Sequence, residues 1–322
     1  MNTININEKR DSCKAIVDNQ IRSYKYNKNE VLTGIVSADK IYLSQRTDRH
    51  VVKRLDSEYT YEQDFGTFGT LQIDNTGLNF PKNIAADPAH NIYVCDMNNK
   101  RIVKLDMDLV YVSNLDVSTE IGRPHTIVYD SVSGDLYVVG IKDNITISIA
   151  RIPTTLASVS KYDSDIYDAA NNKPNGLSVD FTAGYFIISG TNDLLKVEET
   201  GGGFNDATIQ VIEGEEDSKF DGHIMHSNGF LYLNTRRVDG ARISRVNSSY
   251  QNTGDSNKIS RLSSLVTEGL NDDVLVYDNA NFIVKRYDHN LNFVEDVFED
   301  TGATVSTDAE SISGILEIDT TI

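Results

Sequence analysis

Short runs in which apolar and polar residues alternate recur along the chain and are separated by turn-forming residues. The clearest stretch runs from Phe80 to Leu115 and reads FPKNIAADPAHNIYVCDMNNKRIVKLDMDLVYVSNL. It divides into the segments NIAAD, IYVCD, RIVKLD and LVYVSNL, with the polar turns PAHN and MNNK between the first three. Runs of this length bounded by Pro, Asn and Asp are typical of antiparallel β-strands. The stretch therefore predicts a meander of four short strands.

The four-stranded pattern repeats along the chain. Segments that resemble its first two strands begin near Leu32, Pro81, Pro124, Pro174, Asp221 and Ser264. Segments that resemble its third strand read HVVKRLD, RIVKLD, LLKVEE, ARISRVN and FIVKRYD. A repeat of roughly 40 to 50 residues is typical of the blades of a β-propeller. We therefore predict an all-β fold, a β-propeller, as a single domain over residues 1–322.

The two ends of the chain decide the predicted number of blades. Residues 1–30 contain three strand-like segments, TININ, CKAIVDN and IRSYKYN, without a first strand. The tail SISGILEID, from Ser311 to Asp319, resembles the missing first strand. Joining the two removes an open sheet edge. We predict seven blades, the last one shared between the N- and C-termini, and the alternative is a six-bladed ring with an N-terminal extension.

One copy of the repeat also resembles a known family. The segment from Pro81 to Asp106 has a Pro, a Gly-Ile-like pair, an Asp, an Asn-Ile-Tyr-Val strand, a second Asp and then Arg-Ile after an Asn-rich turn. This order is similar to that of an NHL repeat, and the other copies match it more loosely. The resemblance implies a propeller fold. It implies no activity, because NHL-like repeats occur in proteins of unrelated function.

Composition and charge exclude several classes of partner. The chain carries 30 Lys and Arg against 48 Asp and Glu, a net charge of −18. This sign argues against nucleic acid and against an anionic membrane as partners. The first residues lack the basic start and apolar stretch of a secretion signal, so a soluble protein of the cytoplasm or of a virion is expected. The 29 Asn and the absence of Trp are a bias associated with AT-rich genomes, including those of phages.

Candidate ligand-binding residues follow from the propeller expectation, since first strands line the central channel of such a fold. The polar residues beside the starts of first strands include Lys82, His125, Asn175 and His223. His125 and His223 could coordinate a divalent metal, because neutral imidazole is a competent ligand. That would resemble the metal-dependent lyases and lactone hydrolases built on propellers. No acidic residue completes the set, and the other interpretation is that these are channel groups bonded to water or neighbouring strands.

Two further groups of residues are interpreted as structural. Aromatic residues recur on or near the second strands and are predicted to pack between blades. They are Tyr42, Tyr93, Tyr137, Phe186, Tyr232 and Tyr277. Asp96 and Asp278 precede polar turns that contain Asn, and we predict that each caps its turn through side-chain to backbone hydrogen bonds.

The function predicted from these patterns is binding without catalysis. The chain has no GxSxG motif, phosphate-binding loop, dinucleotide-binding glycine pattern or zinc-binding helix motif. Two long polar connections, 153–173 and 247–263, are predicted to contact a partner. We expect a non-catalytic interaction or structural module that binds protein partners through loops and rim, without a cofactor, in an assembly such as a phage virion. The alternative is a metal-dependent lyase or hydrolase with its site at the channel mouth.

Overall fold

The fold consists of β-strands arranged as the blades of a propeller, which confirms the predicted all-β class. The structure is a computed structural model. It describes residues 12–17, 20–25, 40–45, 50–56, 60–68, 75, 77–143, 146–168, 174, 176–180, 185–189, 194–200, 203–205, 209–210, 219–226, 228–237, 240–259, 262–268, 273–278, 281, 283–299 and 312–318.

The strands are numbered in chain order. The first seven are β1 (Ser12–Val17), β2 (Gln20–Lys25), β3 (Lys40–Gln45), β4 (Val51–Leu55), β5 (Tyr61–Phe65), β6 (Thr67–Phe68) and β7 (Gly77–Leu78). Blade I follows with β8 (Pro81–Ala86), β9 (Ile92–Asp96), β10 (Arg101–Leu105) and β11 (Tyr111–Asp116). Blade II contains β12 (Arg123–Tyr129), β13 (Asp135–Lys142), β14 (Thr146–Pro153) and β15 (Ser160–Asp168).

Three more blades continue along the chain. Blade III contains β16 (Gly176–Asp180), β17 (Tyr185–Ser189), β18 (Leu194–Thr200), β19 (Gly203–Asn205) and β20 (Ile209–Gln210). Blade IV contains β21 (Lys219–Met225), β22 (Leu231–Arg237), β23 (Gly240–Val246) and β24 (Asn252–Asp255). Blade V contains β25 (Leu262–Glu268), β26 (Val274–Asp278), β27 (Ile283–Tyr287) and β28 (Phe293–Glu299), and the last strand is β29 (Ile312–Ile318).

The ring is closed by β29. The inner strands of blades I to V contact one another in chain order, and β29 contacts both β25 and β8. β29 also pairs antiparallel with β3, in a sheet of order β29-β3-β4-β5 that we call the composite blade. In this register Ile315 lies opposite Leu43, and Ile318 lies opposite Lys40. The composite blade therefore combines strands from distant parts of the chain.

Neither predicted count is confirmed: the described residues form five blades of consecutive strands, I to V, and the composite blade, rather than seven blades or the six consecutive units of the alternative. The tail segment does form a first strand, as predicted, but its partner is β3 and not a strand from residues 1–30. Among the described residues, β1 and β2 pair only with each other. The segments TININ and the start near Leu32 lie outside the described residues. Without β29, the backbone groups on the inner edge of β3 would have no strand to pair with. Pairing with β29 provides the partner for that edge.

The predicted packing role of the recurring tyrosines is confirmed. The side chains of Tyr42, Tyr93, Tyr137, Tyr232 and Tyr277 are almost completely buried, whereas that of Phe186 lies outside the described residues. Apolar clusters fill the spaces between neighbouring blades, and one of them joins Tyr42 of the composite blade to Val94 of blade I. The core therefore lies between successive sheets, as expected when sheets pack face to face.

A common turn joins the third and fourth strands of blades I, IV and V, and in blade IV it is formed with Asn247 and Tyr250. In blade I, the carboxylate of Asp106 accepts hydrogen bonds from the amides of Asp108 (2.9 Å) and Val110 (2.8 Å). The turn also contains Leu109, a non-glycine residue with a positive φ of 55° and a buried side chain. That conformation costs about 1 to 2 kcal/mol, while burial of Leu contributes about 1.5 to 3 kcal/mol, so burial prevails. Blade V repeats this turn with Asp288 and Leu291.

The turns between the third and fourth strands of blades I, II and V receive hydrogen bonds from the preceding blade, an arrangement that we call the clasp. In a complete clasp, a second-strand Tyr hydroxyl and a third-strand Arg or Lys donate to one turn carbonyl of the next blade. Two clasps are complete: Tyr42 (2.7 Å) and Arg54 (2.7 Å) to Met107, and Tyr232 (2.6 Å) and Arg245 (3.2 Å) to His289. In the third, Lys104 donates to Thr154 (3.1 Å), and the Tyr93 hydroxyl lies 3.0 Å from the same carbonyl but shares its one proton with the nearer carboxylate of Asp87, at 2.8 Å. The two donors of each clasp are cross-strand partners. The clasps therefore connect neighbouring blades at the turns between their third and fourth strands.

Asp96 is structural, as predicted, but with different partners. Its carboxylate accepts from the side chains of Asn99 (2.8 Å) and Arg101 (2.7 Å), and from the backbone amide of Asn79 (2.7 Å). Asp278 likewise accepts from the side chain of Asn281 (2.8 Å). Asp96 therefore bonds to the side chain of Asn99 in its own turn and to the backbone of a more distant segment, while the predicted bonds to backbone groups of its own turn stay a prediction.

Candidate binding surfaces

Five of the six inner strands carry a β-bulge near their start, and β16 is the exception. The register shifts at Pro81/Ile84, Pro124/Thr126, Phe220/Gly222, Leu262/Val266 and Ile312/Gly314. Bulges redirect side chains and are common beside functional sites. Two residues predicted to line the channel mouth, Lys82 and His125, lie in these bulges. The structure therefore places them at equivalent positions of neighbouring blades.

Lys82 and His125 are both buried. The carbonyl of Lys82 accepts a hydrogen bond from the hydroxyl of Ser44. The side-chain oxygen of Asn83, the next residue, accepts from the backbone amide of Ile127 at 3.2 Å, which ties β8 to β12. These contacts fix the backbone at this side of the channel mouth.

His223 lies on β21 but outside the bulge. Its Nδ1 atom is 2.8 Å from the hydroxyl of Ser189 on blade III, and its Nε2 atom is buried with no hydrogen-bond partner among the described residues. Burial lowers the pKa of His223 to about 3, against the opposing effect of a hydrogen bond to the backbone of Ile187. The imidazole is therefore neutral near pH 7.

The structure does not assemble a metal centre within its described residues. His125 and His223 lie on β12 and β21, and β16 stands between these strands in the ring. No group of three or more His, Cys, Asp or Glu side chains in the described part of the chain is arranged to hold a metal. Asn175 lies outside the described residues. Asp221 occupies the bulge equivalent to that of His125, and the sequence analysis did not single it out.

A second candidate surface lies at the outer ends of three successive blades. Its residues, which we call the seam patch, are large apolar side chains between 49% and 58% exposed. They are Tyr61 on the composite blade, Val110 and Val112 on blade I, and Phe293 and Val294 on blade V. Each follows the turn between the third and fourth strands. Because strand direction alternates within every blade, these turns all lie at one end of the ring.

Acidic side chains surround the seam patch. Asp108, Glu295 and Asp296 are at least half exposed, at 68%, 57% and 50% of their side-chain surface. Arg54 forms ion pairs with Asp108 (2.7 Å) and with Glu62 (2.8 Å). The cations that pair with these three carboxylates, Arg54, Arg286 and Lys285, are at most 17% exposed, so the charge exposed at the border of the patch is carried mainly by carboxylates.

Phe293 is held in place on its strand. The ring of Tyr287 contacts it edge-on, with centroids 5.8 Å apart. The ammonium group of Lys285 lies 5.5 Å from the Phe293 ring centroid, within reach of a cation–π interaction. An aromatic side chain that is half exposed and already positioned loses little entropy when a partner covers it.

The two long connections predicted to contact a partner are not loops throughout. Residues 153–173 include strand β15, and residues 247–263 include strand β24. The polar composition of residues 247–263 reflects the outer strand β24, whose residues Thr253 and Asp255 are exposed, so the alternation of apolar residues is weak there. The seam patch was missed for a related reason, although the sequence does show apolar residues at the starts of otherwise polar fourth strands, as in LVYVSNL.

Comparison with known proteins defines the class of the chain as a β-propeller. A protein of unknown function from Bacteroides caccae has a TM-score of 0.64 at 10% identity, covering 88% of this chain and 99% of its own. A chain of a nidogen–laminin complex has a TM-score of 0.63 at 12% identity, covering 87% and 98%. Virginiamycin B lyase from Staphylococcus aureus has a TM-score of 0.57 at 13% identity, covering 80% of both chains.

These likenesses show the fold and no more, because the identities are low. No family model matches the chain, and no curated protein matches it by sequence. Within the described residues, no helix is long and apolar enough to cross a bilayer.

Proposed function

We propose that this propeller is a non-catalytic binding protein whose partner is a protein with an apolar and cationic surface. The observation that carries the proposal is the seam patch, in which apolar side chains recur at the same place on three successive blades within an acidic border. Exposed apolar groups of this kind are typical of interaction sites, and aromatic residues such as Tyr61 and Phe293 are enriched among interface anchors.

The exposed apolar side chains can contribute to the affinity for such a partner. Covering the exposed half of each large side chain contributes about 1 kcal/mol. The surrounding carboxylates favour a basic partner through charge complementarity, which mainly increases specificity and the rate of association. A second copy of this chain would bring acidic borders together, so a different protein is the favoured occupant.

Three further observations support a binding role within a larger assembly. A chain of similar fold belongs to a nidogen–laminin complex, so this architecture occurs in a protein complex. The NHL-like repeat at Pro81–Asp106 is compatible with a binding propeller. The Asn-rich, Trp-free composition agrees with a phage virion component made in a cytoplasm.

The test uses a random peptide library displayed on phage and selected on the immobilised protein. Enriched peptides are synthesised with a fluorescent label, and their affinity is measured by anisotropy. We expect peptides that combine Lys or Arg with aliphatic or aromatic residues. Their affinity should fall at least ten-fold for Val112→Ser combined with Phe293→Ser.

Val132→Ser is the matched control, because Val132 is an exposed apolar residue of blade II outside the seam patch. It should retain the affinity of the unmodified chain. Peptides that bind the unmodified chain and the double variant equally, or that show no basic and apolar enrichment, would overturn the proposal. Circular dichroism confirms that both variants are folded.

A second candidate function is that of a metal-dependent lyase or hydrolase with its site at the channel mouth. The neutral imidazole of His223, the protonation state that binds metals, favours it, together with the fold shared with virginiamycin B lyase. Lys82, His125, Asn175 and His223 would line that site. Stoichiometric metal in the purified protein that is lost in both His125→Ala and His223→Ala would replace our first proposal. Protein that neither carries nor binds Mg²⁺, Mn²⁺ or Zn²⁺ in calorimetry would remove the second.

A further inference from the structure

The seam patch spans the place where the ring is closed without chain continuity. Blade V, the composite blade and blade I carry the patch, and β29 contacts β25 of blade V, β3 of the composite blade and β8 of blade I. We propose that a partner bound to the seam patch holds the ring closed, so that partner affinity and the docking of β29 depend on each other. This inference rests on the proposed binding function.

The composite blade differs from blades I to V in how its inner strand is attached. In blade I, the turn 87–91 links the inner strand β8 directly to its neighbour β9. In contrast, β29 and β3 are separated by most of the chain. β29 can therefore leave its place without disturbing a short covalent turn, and its departure exposes β3, β8 and β25.

β3 connects the closure to both flanks of the patch. Toward blade I, Tyr42 of β3 and Arg54 of β4 donate to the carbonyl of Met107, each at 2.7 Å. The side-chain amide of Gln63 on β5 donates to the carbonyl of Asp108 in the same turn. This turn directly precedes Val110 of the seam patch, so the clasp positions that part of the patch relative to Tyr61.

Toward blade V, the same strand packs through its apolar side chains. Ile41 and Leu43 of β3 share a buried cluster with Leu275 and Tyr277 of β26. β29 pairs with β3 along the stretch that contains Ile41 and Leu43, and Leu316 lies opposite Tyr42. Loss of β29 would therefore loosen the strand that aligns the three parts of the seam patch.

The coupling must act in both directions. A partner that requires the aligned patch binds the closed ring more tightly than the open ring, and by linkage it reduces the population of the open ring. At a partner concentration of about 100 times Kd, that population falls about 100-fold if the open ring does not bind.

The test measures amide hydrogen exchange by mass spectrometry, using the labelled basic and apolar peptide selected on the seam patch. At saturating peptide, exchange in residues 312–318 should slow at least ten-fold, while exchange in β16 of blade III should stay unchanged. Unchanged exchange in β29 with peptide bound, or equal slowing in β16, would overturn the inference and leave the proposed function standing. Absence of any peptide whose binding depends on Val112 and Phe293 would overturn both.

A variant provides the reverse measurement. Leu316→Pro removes a backbone donor from β29, and we expect the peptide to bind it at least ten-fold more weakly than the unmodified chain. Ser178→Pro in β16 is the matched control on blade III and should retain peptide affinity. Unmodified affinity in a folded Leu316→Pro protein would overturn the coupling. The exchange measurement needs no variant and decides the matter if Leu316→Pro does not fold.

Discussion

Protonation of His223 should make the folded state sensitive to mild acid. Burial lowers the pKa of this side chain to about 3, whereas an unfolded histidine has a pKa of about 6.5. Below pH 6.5 the unfolded chain therefore binds a proton that the folded chain does not bind until near pH 3. Stability linked to this residue is fully present above pH 6.5 and is lost as the pH falls toward 3. Between pH 7.5 and pH 5 the loss is about 2 kcal/mol.

Replacement of His223 by Asn removes the titration and keeps a polar group near Ser189. Urea unfolding at pH 7.5 and pH 5 gives the free energy of unfolding of both proteins by linear extrapolation. The unmodified chain should lose about 2 kcal/mol more than His223→Asn over this interval. His289→Asn, which changes an exposed histidine, should behave like the unmodified chain. Equal pH dependence of the unmodified chain and His223→Asn would refute the reasoning, because it would mean that His223 is protonated in the folded state.

Three other changes test the framework that holds the blades together. Tyr232→Phe removes one of the two donors to the carbonyl of His289 and should lower the free energy of unfolding in urea by about 0.5 to 1.5 kcal/mol. Asp96→Ala leaves the buried Arg101 without its carboxylate and should lower the free energy of unfolding by about 3 to 5 kcal/mol. Asp96→Leu combined with Arg101→Met removes both charges and should lower it by less. Equal losses in the two proteins would contradict the assigned ion pair. Deletion of residues 312–322 opens the composite blade and should lower the unfolding temperature in calorimetry, so an unchanged melt would contradict closure by β29.

Local features of the fold could be predicted from the sequence because they depend on local patterns. The strands of blade I follow the alternation in FPKNIAADPAHNIYVCD, and the tyrosines lie in the core because each repeats at the same strand position. The partner of the strand that closes the ring could not be predicted in this way. The tail resembles any first strand of the repeat, and which free edge it pairs with is decided by the assembled ring.

Some residues of the candidate surfaces could be placed from the sequence and others could not, for physical reasons. Lys82 and His125 were placed correctly beside the starts of inner strands, because a Pro precedes each of them in a recognisable segment. His223 was grouped with them although the bulge of β21 falls on Asp221, because the sequence alone does not show which residue of a strand forms the bulge. The exposure of Phe293 depends on how neighbouring blades cover a strand, which alternation alone does not reveal.

Disulfide trapping tests most directly the central claim that β29 closes the ring on β3. Cysteines are introduced as the pairs Leu43→Cys with Ile315→Cys and Lys40→Cys with Ile318→Cys, two register pairs of opposite hydrogen-bonding type, after Cys13→Ser and Cys95→Ala. A third protein keeps Cys13 and adds Ile315→Cys. Because a disulfide forms only when the two Cα atoms lie within about 7 Å, we predict cross-links in at least one β3–β29 pair and none to Cys13. Cross-linking to Cys13, with none between β3 and β29, would contradict the account.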